Sequence, residues 1–146
     1  MKHPIHPMLV HFPIATWFLA TIADIASLFT NEQVGWVAGV LLVIGTITAL
    51  FAMTTGLLEL GKIDQQSPAL KIANQHMILV MVSWSLYAVS LFLRLNGTHL
   101  EQPNLIAISF SILGFIFLCG AGWVGGKLVY EYGIGIHHLK KEDLNQ

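Results

Sequence analysis

The sequence predicts an all-α integral membrane protein, a four-helix bundle threaded up-down-up-down with both termini in the cytoplasm. Three observations carry that expectation. Hydrophobic residues make up 55% of the 146-residue chain and charged residues only 10%, against about 25% charged in an average soluble domain. With mean hydropathy at +0.69, a chain this short would need an enormous dry core of its own to be soluble. Finally, four apolar segments each approach or exceed the ~20 residues that cross ~30 Å of hydrocarbon.

The expected spans are 12–29, 36–58, 76–93 and 105–124, in a single domain covering residues 1–146. Pro13 falls in the first turn of span one, where its missing N–H costs little. Should the helix begin earlier, at Pro7, Pro13 would kink it and free a carbonyl near Leu9. A proline- and histidine-rich leader and a weak TIADIAS cleavage site argue that span one is retained and is not a signal peptide. Two connections, TNEQVG and RLNGTHLEQPN, are short and polar. The third, ELGKIDQQSPALKIANQ, contains Ser67-Pro68, an N-cap followed by proline at the first helical position. Lys2, Lys62, Lys71, Lys127, Lys140 and Lys141 share one side of this threading, and Arg94 stands alone on the other. The positive-inside rule therefore places both termini in the cytoplasm of a multi-pass protein. No internal sequence repeat suggests an inverted-repeat transporter.

A formal charge of −1 leaves no electrostatic footprint for nucleic acid. The lone cysteine, Cys119, rules out an intramolecular disulfide framework and a thiolate zinc site, and reads as a packing residue.

Topology gathers the histidines. His3, His6 and His11 precede or open span one, His76 opens span three, and His137 and His138 follow span four. All six fall on the cytoplasmic side with Glu59, Asp64, Tyr130 and Glu131; only His99 lies opposite. Helices one and three of such a bundle face each other diagonally. A histidine from each then offers the two axial imidazoles that a haem iron takes. His11 and His76 are the expected metal ligands, since each stands at the apolar edge of its helix. His6 is the reserve, about 140° from His11 on a regular helix. His6, His11, His76 and Tyr130 make up the expected cofactor-binding set. The competing explanation is an imidazole at the membrane interface, bonded to backbone or water, and it is favoured for His3, His137 and His138.

Small residues bear on space and packing. Gly45, Ala49, Ala52 and Gly56 share one face of span two, and span four holds Gly114, Gly120, Gly122, Gly125 and Gly126. Gly35/Gly39 and Gly122/Gly126 are GxxxG pairs. Helix packing, within the chain or in a homodimer, is favoured over a cofactor surface. Span three carries His76, Ser83, Tyr87, Ser90 and Arg94 along one stripe, which should turn away from lipid. Asp24 is the one acid deep in a span, and Arg94 arrives at the same level to pair with it.

The opening HPMLVHFPIA resembles that of a family of small bacterial four-helix membrane proteins whose domain has no assigned function. TGLLEL, His76 in NQHMIL and the closing GWVGGKLVYEYGIGI extend the resemblance over nearly the whole chain. His6, Pro7, His11, Pro13, His76, Gly125, Gly126, Tyr130 and Gly133 match its motifs, whereas His3-Pro4 is an addition. The resemblance implies a protein of the bacterial inner membrane. In architecture alone the family is similar to transmembrane b-type cytochromes.

The leading expectation is a non-covalent haem b held by two histidines near the cytoplasmic face, serving electron transfer or redox sensing with a quinone or redox protein as partner. No C-x-x-C-H motif exists for covalent attachment, and an acceptor such as Glu59 would fix the histidine tautomers. Alternatives are a histidine-based metal-binding protein or a non-catalytic accessory subunit, in a homo-oligomer such as a dimer. No GxSxG, HExxH or phosphate-binding glycine loop points to hydrolysis.

Overall fold

The computed structural model describes residues 5–135; Lys2, His3, His137, His138, Lys140 and Lys141 lie outside the described residues. The first span is built from α1 (Ile5–Leu9) and α2 (His11–Ser27). Pro13 has no N–H to offer the Leu9 carbonyl, and the ladder falters one residue later, at Val10. Bonds from Val10 N–H to the His6 carbonyl and from Ile14 N–H to the Val10 carbonyl carry the helix across this break. Pro7 sits in the first turn of α1, so its missing donor breaks nothing.

Three further helices follow, α3 (Glu32–Leu60), α4 (Pro68–Phe92) and α5 (Leu105–Tyr130). Each of the four spans is long and apolar enough to cross a membrane. At 29 residues, α3 extends about 44 Å, and Glu32 in its first turn complements the positive end of the helix dipole. The Ser67 side chain accepts a bond from Ala69 N–H at the start of α4, with Pro68 next to it. Asn104 does the same for Ala107 at the start of α5. Between α4 and α5 the chain makes a small hairpin, β1 (Leu95–Asn96) against β2 (His99–Leu100). Gly97 turns it at φ +61°, a conformation that costs glycine little.

Neighbouring helices meet in reversed order. His6 lies at Ala52 and Trp17 at Gly45, so the first span runs antiparallel to α3. His76 lies at Ala121 and Ser90 at Ala107, so α4 runs antiparallel to α5. α3 also flanks α4 and α5 flanks α2. α2 and α4 face each other diagonally, where Trp17 and Tyr87 stack with ring centroids 4.7 Å apart.

Around Trp17, Leu42 and Tyr87 the interior is made largely of small and polar residues. Ala20, Ala38, Ala49, Ala107, Ser83, Ser90 and Ser111 are buried, while Phe12, Phe18, Ile47, Phe51, Ile78 and Ile116 are exposed. Such an arrangement suits a bilayer, where close packing and hydrogen bonds, and not the hydrophobic effect, bring helices together. The outer faces present apolar side chains to hydrocarbon.

Candidate functional site

The two imidazoles that this fold treats alike are His6 and His76. His6 Nδ1 lies 2.8 Å from the Ala52 carbonyl on α3. His76 Nδ1 lies 2.9 Å from the Ala121 carbonyl on α5. A carbonyl can only accept, so in each ring Nδ1 carries the proton and, in the neutral imidazole, Nε2 holds the free lone pair. Such a backbone anchor on the far nitrogen is the usual support of a metal-ligating histidine. Among the described residues, neither Nε2 has a hydrogen-bond partner on the chain.

Each ring also packs closely against a glycine. A Cβ built on Gly56 would come within 2.9 Å of His6 Cε1, and one on Gly125 within 3.1 Å of His76 Cε1. Both approaches are tighter than ordinary side-chain contacts permit. Gly56 and Gly125 therefore let the imidazoles reach the carbonyls one turn away. The two rings stand at the same end of the bundle, His6 against α3 and His76 against α5. Both are only partly buried.

His11, expected as the partner of His76, is exposed and bonds to no other helix. The reason lies in the register of the first span. Its inward positions are Pro13, Trp17, Ala20, Thr21, Asp24 and Ser27. Counting back from Pro13 in steps of three and four leads to Leu9 or Val10 and then to His6, passing His11 by. Extending the buried face backwards from Pro13 reaches His6, whereas His11 stands beside the start of the apolar run on the exposed face. Tyr130 stands at the end of α5, 89% exposed. Glu59 anchors neither ring; backbone carbonyls fill the expected role.

The small-residue face of α3 holds side chains from neighbouring helices. Gly45 lies against the Trp17 indole, and Gly56 against His6. On α5, Gly114 lies against the Tyr87 ring. Of the GxxxG pairs, Gly35 and Gly39 receive Gln102, Pro103 and Leu100, while Gly122 has nothing within 4 Å.

The α4 stripe turns inward as expected. Ser83 donates to the Gly114 carbonyl, and the Tyr87 hydroxyl meets Thr21 at 2.8 Å. Arg94 does not reach out to the headgroups. It grips Asp24 with two N–H···O bonds while Ser90 and Ser111 complete the network.

Residues 2–138 match a family described as a predicted membrane protein, DUF2231. The chain belongs to that family. The match takes in the opening and closing motifs and all four apolar helices, and the family description goes no further than membrane residence. No curated protein and no solved structure matches the chain.

Proposed function

We propose that this protein is a membrane-embedded haem b protein in which His6 and His76 would hold the haem, for electron transfer or redox sensing. The observation that carries this reading is the matched pair of imidazoles, each with Nδ1 tied to a backbone carbonyl and Nε2 left with its lone pair. Two neutral imidazoles are a full axial set for a haem iron. A bare zinc or copper ion asks for three or four protein donors, and no group of three His, Cys, Asp or Glu residues stands together among the described residues. The donor set therefore fits the haem better than the ion.

When bound, the haem supplies a one-electron iron couple. The chain's own residues do the rest. Ala52 and Ala121 hold the tautomers, while Gly56 and Gly125 allow each ring its orientation. The buried Trp17–Tyr87 stack fills the interior between the histidines and the Asp24–Arg94 pair. Burial and axial ligation are the levers by which such a site sets its potential.

In this reading the site sits at the cytoplasmic face of a bacterial inner membrane, since Lys62, Lys71 and Lys127 lie at that end of the threading. A membrane-dissolved quinol or a redox protein exchanges the electron. The open Gly122 face of α5 suits a second copy of the chain. The test is optical. Protein purified in detergent from haem-replete cells should show a Soret band that shifts on reduction with dithionite, and a colourless preparation would overturn the reading.

A further inference from the structure

The twin anchors are part of a larger correspondence. Moving along the chain by 70 residues carries Trp17 onto Tyr87 and Asp24 onto Arg94, and these are the pairs that meet across the bundle. The same shift carries His6 onto His76. Burial follows it: Pro13, Trp17, Ala20 and Asp24 are buried, as are Ser83, Tyr87, Ser90 and Arg94. A shift of one residue fewer carries α3 onto α5. Ala38, Gly45, Ala52 and Gly56 then fall on Ala107, Gly114, Ala121 and Gly125, identical at all four positions.

Contacts repeat along with the residues. Gly45 takes the Trp17 ring and Gly114 the Tyr87 ring; Gly56 takes His6 and Gly125 takes His76. Because α2 and α4 run in the same direction, the operation is a twofold rotation about an axis parallel to the helices. The repeat is thus parallel, unlike the inverted repeats of many transporters.

We infer that the chain is a fused pair of equivalent helical hairpins, and that its site is a composite of two equivalent half-sites. Each half consists of one histidine, one anchoring carbonyl and one positioning glycine. His6 and His76 are equal ligands, and whatever they hold lies on the pseudo-twofold axis between hairpins. The inference rests on reading these two histidines as the site, though not on the group they hold. A planar haem, which offers the same iron to an imidazole on either face, meets the symmetry requirement. Asp24 and Arg94 are where the halves differ most. Two like charges there would repel, so opposite ones make the pairing of unlike hairpins the favoured one.

The test uses the full chain in detergent, with hemin as probe. Nitrogen NMR of 15N-histidine-labelled protein, assigned with His6→Gln and His76→Gln, should find both rings protonated at Nδ1 and bare at Nε2. Hemin titration should then show Gly56→Ala and Gly125→Ala each weakening binding about 10-fold, the scale of losing outer-shell support, and alike to within about threefold. Gly122→Ala, with open space at its Cβ, should bind hemin unchanged. Matching tautomers in a protein that binds no hemin would support the paired half-sites and overturn the haem reading instead. Differing tautomers, or a loss confined to one glycine, would overturn the inference.

Discussion

Arg94 closes on Asp24 as a fork, Nη1 at 2.8 Å from Oδ1 and Nη2 at 3.0 Å from Oδ2, with both side chains shut away from the surface. The pair joins α2 to the end of α4, at the opposite end of the bundle from the histidines. Ser111 adds a short bond to Oδ2, and Ser90 accepts from the guanidinium. Every charge-bearing atom of the carboxylate is therefore matched. In an apolar surround, removing one partner leaves an uncompensated charge, which costs about 3–5 kcal/mol. Arg94→Met should accordingly lower the thermal midpoint followed by circular dichroism in detergent. Asp24→Leu combined with Arg94→Met should recover much of that loss. An Arg94→Met protein as stable as the parent would contradict this account of the pair.

Ser111 and Ser85 provide a sharper contrast on the same principle. The Ser111 hydroxyl is buried and donates to a carboxylate, whereas Ser85 is exposed and bonds the Met81 carbonyl one turn back on its own helix. Ser111→Ala should cost about 1.5–3 kcal/mol, the range for a hydrogen bond to a charged group. Ser85→Ala should stay within about 0.5 kcal/mol of the parent. Denaturation of the two variants side by side checks the order.

The aromatic stack sets a second ranking. Tyr87→Phe keeps the ring on Trp17 and loses the hydroxyl's bonds to Thr21 and to the Trp17 carbonyl, a change of about 1 kcal/mol. Tyr87→Ala removes the ring and should cost about 3–5 kcal/mol. It should also flatten the near-ultraviolet dichroism that the packed tryptophan gives. Equal stability in the two variants would mean that the stack contributes little.

Glycines in this bundle are expected to differ by what they face. A Cβ at Gly45 would lie 2.5 Å from Trp17 Cδ1, while at Gly114 the nearest Tyr87 atom is 3.0 Å away. Gly45→Ala should therefore be the more damaging, Gly114→Ala intermediate, and Gly122→Ala neutral in thermal stability. A reversal of the first and last would show that the α3 groove is not what seats the indole.

Much of this was legible in the sequence. Long apolar runs mark the helices because a bilayer imposes a minimum length on whatever crosses it. Ser67-Pro68 announces the start of α4 through local chemistry alone. The inward stripe of α4 shows in its serine spacing, and Asp24 required a cation that only Arg94 supplied at that level. The identity of the facing histidine was hidden. An apolar edge is a property of composition, whereas the inward face of the first span depends on register through the Val10 break, and register leads to His6. The hairpin duplication was hidden for a related reason. Its shared residues are mostly alanine and glycine, common in any membrane helix, and its two axial pairs, Trp17 with Tyr87 and Asp24 with Arg94, are not identical in sequence. Only their contacts reveal the equivalence.

The central claim is that His6 and His76, and not His11, hold the haem. The most direct measurement is the Soret absorbance per protein in His6→Ala, His76→Ala and His11→Ala, purified in parallel from haem-replete cells, with folding checked by helical dichroism. The account predicts loss of the low-spin bis-histidine spectrum in the first two and an unaltered spectrum in His11→Ala. A spectrum that survives His6→Ala and disappears in His11→Ala would contradict it.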